Sequence, residues 1–301
     1  MKLPYARTQS KLELPDLELI LALYRGRTLA GAAERLKVDT STVFRSIKRI
    51  EKDLGELLFE RSRQGYAATE LGIELAGFAE RIESQLEQAR EAALDTSTHP
   101  SGTLRITTTD SVMQSVLLPA MKRFSELHPL IELELIASNA LANLSHRDAD
   151  IAIRATRQPP EHLVGVRLGR LEAAVYASKA YLEAHRHIPD YRDMDWIALD
   201  ATLPDHPSQR WRRLHHPKVL PRYRMNSVLS VAGAVVHGMG VGVVPLAVFR
   251  DNPLVEIVDG PIAELETELW ALAHPDTRHL QRMKVMFDFL RTSLDLSGGV
   301  S

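Results

Sequence analysis

Residues 38–55, VDTSTVFRSIKRIEKDLG, carry two stripes at once. Val43, Ile47, Ile50 and Leu54 recur at helical spacing, and so do Arg45, Lys48, Arg49 and Lys52. On an α-helix, four residues spaced i, i+3, i+4 and i+7 fall within about 100° of one another. The two sets centre on opposite sides of that helix. One face is therefore built for burial, and the other is built to meet something negative. A solvated face is the plainer reading of any charge run. The surrounding residues decide between the two.

Upstream, Leu17, Ile20, Leu21 and Tyr24 make one helical face after Pro15-Asp16, with Gly26 placed to end that helix. Thr28 is positioned to cap a short second helix whose inner face is Leu29, Ala32, Ala33 and Leu36. Asp39 is expected to cap the third, its carboxylate accepting free amides of the first turn. Two helices joined by a tight turn, the second bearing a basic stripe, predict a helix-turn-helix. The major groove of B-DNA admits one α-helix, and residues at that helix's N-terminal end reach base edges. Thr40, Ser41, Thr42, Phe44 and Arg45 occupy that end. Lys48, Arg49 and Lys52 lie further along, where phosphates would run beside the helix. Beyond Gly55, LLFERSRQGYAAT reads as strand, turn and strand, a wing whose Arg61 and Arg63 reach a phosphate, reach a minor groove or are merely solvated.

With 301 residues, the chain has the length of roughly two domains. Its net charge of −2 hides an asymmetry: residues 1–70 hold 13 Lys and Arg against 10 Asp and Glu, the remainder 24 against 29. There is no cysteine, which excludes disulfides, thiol catalysis and thiolate zinc sites. MKLPYARTQSKLELPD lacks the apolar stretch of a secretory signal, so the cytoplasm is the expected compartment. Residues 228–249 have spanning length, but four glycines, His237 and Pro245 favour a buried helix, a turn and a buried strand over a membrane span.

From residue 70 to about 94 there is no proline. Leu75, Phe78, Ile82, Leu86 and Ala89 step along it as a coiled-coil seam about 37 Å long, which favours dimerisation with a second copy. Residues 95–102 read as a polar hinge. Strands and helices then alternate to the end of the chain, an α/β pattern with crossovers. Ligands in such folds bind beyond the carboxyl ends of strands, beside helix N-termini. Thr108, Thr109, Asp110 and Ser111 follow the first strand, Ser138 and Asn139 the second, and Asn226 and Ser227 open a later helix. Helix capping is the plainer role for each. Arg154, closing DIAIR, has two candidate partners: a ligand carboxylate or Asp110.

Other motifs do not carry chemistry. Gly238-x-Gly240-x-Gly242 follows a helix and lacks nucleotide-binding spacing. His185-x-His187 and His215-His216 have no carboxylate or thiol pattern around them, so no metal site and no cofactor is expected. Neither a nucleophile motif nor a paired-carboxylate motif points to an enzyme.

Residues 32–61, AAERLKVDTSTVFRSIKRIEKDLGELLFER, followed by T-E-x-G, resemble the LysR-type transcriptional regulators. The resemblance extends more loosely over nearly the whole chain. It implies a winged helix-turn-helix in residues 1–69, with Thr28 added to the DNA-facing set, and a linker and dimerisation helix in 70–94. It also implies an effector-binding domain in 103–301, built as two Rossmann-like lobes similar to periplasmic binding proteins. Lobe I would hold 103–168 and 267–301, and lobe II 169–266, with the polar clusters converging on the cleft between them. The implied partners are double-stranded DNA, a small-molecule effector, a second copy in a dimer or dimer of dimers, and RNA polymerase. The chain departs from the family at Asp39-Thr40, where many members carry Ser-Gln, and at Phe44, where serine is common. Phe44 either packs on a thymine methyl or turns into the helix-turn-helix interface. The competing reading is an α/β solute-binding or enzymatic protein whose N-terminal helices only mediate assembly.

Overall fold

The computed structural model describes residues 12–62, 65–93, 100–139, 149–278 and 280–294, in two compact units joined after the long helix. In the N-terminal unit, α1 (Leu14–Gly26), α2 (Leu29–Leu36) and α3 (Thr40–Leu54) enclose a core of Ile20, Leu23, Ala32, Val43, Ile47, Ile50 and Leu58. The apolar stripe of α3 is thus the buried one, with Val43, Ile47 and Ile50 each at most 2% exposed.

The helix ends refine the expectations. Thr28 Oγ1 accepts from the Gly31 amide at 3.0 Å, the cap expected of it. Asp39 is the N-cap residue of α3, but its side chain makes no capping hydrogen bond; its carbonyl, not its carboxylate, receives the Thr42 amide. Gly26 is also not the left-handed terminator: Arg27 takes that conformation, at φ 53°. Gly26 serves close approach instead, since a Cβ there would sit 2.7 Å from the Ala32 nitrogen. Gly55, at φ 77°, does end α3 in the left-handed region that glycine enters without strain.

Glu51 lies on the inner side of α3, 5% exposed, and its Oε1 accepts from the Leu58 and Phe59 amides at 3.0 and 3.2 Å. That carboxylate anchors the start of the wing, the antiparallel pair β1 (Phe59–Ser62) and β2 (Gly65–Ala68). The Tyr66 amide donates to the Arg27 carbonyl, tying the wing to the turn between α1 and α2. Thr69 Oγ1 then accepts from Gly72 at the start of α4 (Glu70–Ala93).

α4 packs along α1 through Ala76 and Ala79, both buried, while Arg25 of α1 pairs with Glu83 at 2.8 Å. The predicted seam is divided. Leu75 and Ile82 turn partly into the unit's own core, whereas Phe78, Leu86 and Ala89 stay exposed. Ile73 is exposed as well, on a different side of the helix from these three. One broad apolar stripe runs along α4, and α1 takes the flank that carries Ala76 and Ala79.

The C-terminal unit contains two five-stranded sheets. In the first, β3 (Gly102–Thr108) lies between β4 (Ile131–Ala137) and β5 (Ile151–Ala155), parallel to both. β6 (Val164–Leu171) completes this sheet at its far edge, and the chain passes into the second sheet at Glu172. The second has the order β11, β7, β10, β8, β9: β7 (Ala173–Ser178), β8 (Trp196–Leu199), β9 (Tyr223–Met225), β10 (Val241–Pro245) and β11 (Val255–Asp259). The chain then returns as β12 (Thr267–Ala273), antiparallel to β5 and β6. Two crossings therefore define two α/β lobes.

The first lobe is covered by a helical run opened by the single turn α5 (Asp110–Val112), continued by a π-helical turn (Met113–Leu117) and by α6 (Leu118–Leu127). The second carries α7 (Lys179–Ala184), α8 (Pro207–His215) and α9 (Val228–Val236). The closing helix α10 (Gln281–Ser293) returns to the first lobe, where Phe289 meets Phe124 edge-on at 5.2 Å. The apolar stretch 228–249 resolves into α9, a turn through Gly238 and Gly240, and β10. Among the described residues no helix is long and apolar enough to cross a membrane.

Candidate DNA-reading face and effector cleft

On α3, Thr40, Ser41, Phe44, Arg45, Lys48, Arg49 and Lys52 are exposed and Thr42 is half-buried. Phe44 is 44% exposed, so it does not turn into the helix-turn-helix interface. Arg45 is steadied by its own helix, its Nε donating to the Ser41 carbonyl at 3.2 Å.

The four cations of the stripe are not equivalent. Arg49 pairs with the buried Asp16 of α1 and lies 3.6 Å from Asp53, and the Asp16 hydrogen bond raises its already high pKa. Lys48 meets Glu51 at 2.8 Å. Arg45 and Lys52 have no carboxylate partner among the described residues. Arg49 thus ties α3 to α1, Lys48 pairs within α3 itself, and Arg45 and Lys52 are left to act outward. Thr28 is exposed, and so is Arg61, which sits within β1 opposite Tyr66; Arg63 lies outside the described residues.

In the C-terminal unit, the carboxyl ends of the parallel strands β3 and β5 gather the predicted polar residues. Arg154 donates from Nη2 to Thr107 Oγ1 at 3.0 Å and from Nη1 to the Ile153 carbonyl at 3.2 Å. Burial lowers the pKa of its guanidinium, and no described carboxylate pairs with it. Of its two candidate partners, Asp110 is ruled out: the Asp110 carboxylate accepts from Asn139 Nδ2 at 2.9 Å and from the Ser111 amide at 2.6 Å. Asn139 Oδ1 in turn accepts from the Asp110 amide at 3.1 Å.

Thr108 is fully buried and its Oγ1 has no hydrogen-bond partner. Its carbonyl accepts from the Ser138 amide at 2.8 Å. Thr109 Oγ1 lies 3.4 Å from the Ser111 hydroxyl. Across the lobes α5 touches α9, whose cap is Ser227, with Oγ accepting from the Ser230 amide at 3.1 Å; Asn226 beside it is exposed. For Ser227 the capping role is the one observed. Beside this cluster an open groove of about 570 Å³ runs between Gln114, Ser115 and Pro119 of the first lobe and Leu229, Ala247 and Arg250 of the second. Sequence reasoning passes over Ser115, although its place four residues after Ser111 was the available signal; its hydroxyl donates to the Ser111 carbonyl at 2.6 Å.

The histidine pairs are structural. His185 stacks on Tyr181 at 4.0 Å, His215 meets Glu264 at 3.4 Å, and His216 packs against Trp211. Among the described residues no three potential ligands group as a metal site.

Comparison with known proteins agrees with both halves of this geometry. Residues 14–73 match the family model of the bacterial regulatory helix-turn-helix protein, lysR family, and residues 97–295 match that of the LysR substrate binding domain. The chain is 26% identical to the transcriptional regulator PgrR of Escherichia coli over 281 residues, covering 89% of this chain and 93% of PgrR. It is 30% identical to the transcriptional activator IlvY of Salmonella typhimurium over 256 residues, covering 80% and 85%. In fold it is similar to a full-length OxyR from Pseudomonas aeruginosa, with TM-score 0.67, 17% identity, and coverage of 93% and 98%. The relatives are named as regulators rather than enzymes. An N-terminal helix-turn-helix with a basic outer face, followed by a two-lobed α/β domain, places this chain in the LysR family: it is a DNA-binding transcriptional regulator with an effector-binding domain.

Proposed function

We propose that α3 enters the major groove of an operator, with Thr40, Ser41, Thr42, Phe44 and Arg45 at the base edges and Lys48, Arg49 and Lys52 along the phosphates. The observation that carries this reading is the outward set of Phe44 and Arg45 on a helix whose opposite face is fully packed. Phe44 supplies an apolar contact for a thymine methyl. Thr28 and Arg61, with Arg63, would add contacts to flanking phosphate. Because these are mostly charge contacts, affinity falls steeply with salt.

In the same proposal residues 70–94 pair two chains through Phe78, Leu86 and Ala89, with Leu75 and Ile82 at the margin, so that two copies of α3 meet a palindromic site. A dimer, or a dimer of dimers, works in the cytoplasm, where its operator is. Residues 103–301 sense the effector in the cleft bounded by Thr108, Thr109, Asp110, Ser111, Ser138, Asn139, Arg154, Asn226 and Ser227. A half-buried guanidinium without a carboxylate favours an anionic group on that effector, and the free Thr108 hydroxyl offers a further hydrogen bond. Binding would favour one arrangement of the lobes and so shift the population of DNA-bound states. Contact with RNA polymerase then turns occupancy into transcription.

A gel-shift titration against the DNA upstream of the chain's own gene, at two salt concentrations and with competitor DNA, tests the reading. Retardation that resists competitor and weakens with salt supports it. Equal binding to every sequence, or none, removes it.

A further inference from the structure

The two lobes of the C-terminal unit are joined where the chain leaves β6 at Glu172 and where it returns to β12 at Thr267. The strands at this junction are neighbours, with Leu171 opposite Thr267 and Arg170 opposite Glu268. Two adjacent extended segments make a hinge, because small changes of φ and ψ in them turn one lobe against the other. Just before β12 the returning chain makes a 3-10 turn, Ala263–Leu265, that belongs to the second lobe. Ile262 and Leu265, 7% and 6% exposed, pack there with Val175, Trp196 and Trp211. The Ile262 amide donates to the Ala173 carbonyl, and the Glu264 carboxylate lies 3.4 Å from His215 of α8.

Arg157 reaches this turn from the first lobe. It follows β5 in a bend closed by Thr156, whose Oγ1 donates to the Gln158 carbonyl at 3.0 Å and accepts from the Gln158 amide at 3.1 Å. The Thr156 amide also donates to the Glu268 carbonyl at 2.8 Å, so the side chain starts from backbone that is pinned to β12. From there Arg157 Nη2 donates to the carbonyls of Glu264 and Glu266, each at 2.7 Å, and Nε donates to the Glu266 carbonyl at 3.0 Å. The two carbonyls flank Leu265. The carboxylate of Glu266 is turned to Arg170 at 3.3 Å, so Arg157 grips main chain rather than an acidic side chain. Neither operator reading by α3 nor the polar cluster of the cleft uses this residue.

We infer that Arg157 is a positioning residue, a clasp that holds the second lobe at one angle to the first. One nitrogen donates to two carbonyls that move differently. Glu266 adjoins β12 and stays with the first lobe, whereas Glu264 travels with Leu265 in the core of the second. A turn of the lobes that carries Leu265 away from β5 therefore breaks the bond to Glu264 first. The planar fork of a guanidinium meets both carbonyls at once, which the single ammonium of a lysine does not. The consequence for regulation rests on the proposed shift among lobe arrangements: the clasp sets how much of the population lies in the resting arrangement before an effector arrives.

The test exploits the absence of cysteine, since two introduced thiols are then the only ones that a spin label meets. Glu126→Cys on α6 and Glu183→Cys on α7, both exposed and one in each lobe, are labelled in the full chain. Dilution into excess unlabelled protein makes distances within one chain dominate the pulsed electron paramagnetic resonance signal. The pair is measured with Arg157 intact, with Arg157→Ala and with Arg157→Lys. The expected result is one narrow distance with Arg157 intact. In Arg157→Ala the share of other distances rises about fivefold, the scale of one net hydrogen bond lost, with Arg157→Lys between the two. Because Arg157 is exposed, Tm is expected to stay unchanged. Superimposable distance distributions in the three proteins overturn the clasp, and so does a lowered Tm with unchanged distances, which makes Arg157 a stabilising residue only. A gel shift with Arg157→Ala separates the clasp from its consequence. Altered distances with unchanged operator binding keep the clasp and remove the proposed link from lobe arrangement to DNA.

Discussion

The two cationic sites of this protein are built by opposite rules. On α3 the charges are numerous and exposed, and two of the four are partly neutralised by carboxylates of their own unit. In the first lobe one guanidinium, that of Arg154, is half-buried, held by a hydroxyl and a carbonyl, and without a carboxylate partner among the described residues. On the proposed function the difference follows from the partner. A duplex presents a line of phosphates, so many weakly coupled, salt-screened contacts add up along it. A small anion presents one group, so its recognition needs one charge in a place where water does not compete. The carboxylates that meet these cations then have a structural meaning: Asp16 ties α3 to α1 and Glu51 ties it to the wing, which poses the helix and leaves Arg45 and Lys52 to act outward.

Removing the pose gives the largest effect. Glu51→Ala strands two buried amides at the start of the wing, and is expected to cost the N-terminal unit about 3 kcal/mol. Thermal denaturation followed by circular dichroism would show it as a lower Tm, with operator binding lost in proportion to unfolding. A wild-type Tm would mean that the wing does not depend on this carboxylate.

Arg154→Met addresses the other site. Replacing a half-buried charge that has no carboxylate partner by an apolar side chain of similar length is expected to leave the fold intact. It should abolish any thermal stabilisation by millimolar carboxylates, a loss of about 2 kcal/mol of binding. If a carboxylate stabilises the variant and the wild type equally, the cleft does not recognise charge through this residue.

A smaller effect separates the lobes by pH. Burial, and next to it the positive charge of Arg210, lowers the His206 pKa to about 4. The unfolded chain, with an ordinary histidine pKa near 6.5, binds this proton first as pH falls. Stability is therefore full above pH 6.5 and declines towards pH 4, by at most about 2 kcal/mol once the partial exposure of the ring is allowed for. Since His206 accepts from the Ser208 amide to cap α8, His206→Asn keeps the cap and should flatten that part of the pH profile. An unchanged profile in the variant assigns the acid sensitivity elsewhere.

Phe44→Ala should have the smallest consequence, about 1 kcal/mol confined to sites with thymine under the helix start. Parallel titrations of operators carrying thymine or uracil at that step would detect it, and an equal loss on both would take the methyl contact away.

How much of this was legible in the sequence depended on distance along the chain. The third helix could be read because both of its stripes are local, and Val43, Ile47 and Ile50 are buried as their spacing requires. The capping of α2 by Thr28 is local too. The Arg49 partner lies 33 residues away in α1, and no periodicity links Asp16 to the stripe. Gly26 is the last residue of α1, as its place in the sequence suggests, but the left-handed turn falls on Arg27 and the glycine's lack of a side chain makes room for the neighbouring helix. α8 escaped notice because only Gln209 and Trp211 face inward, too few for a stripe, and the three-residue β9 is shorter than any alternating pattern. In the cleft, the strands predicted the cluster's place, but the choice between Asp110 and a ligand as partner for Arg154 needed coordinates, since only they show Asn139 engaging that carboxylate.

The central claim, that the outward cations of α3 lie on duplex DNA, is tested most directly by salt dependence. Operator affinity would be measured by fluorescence anisotropy across a salt series for the wild type and for Arg45→Ala combined with Lys52→Ala. The account predicts a weaker complex whose slope of log affinity against log salt is shallower by about 2, roughly one for each lost contact. Superimposable lines for the two proteins would contradict it.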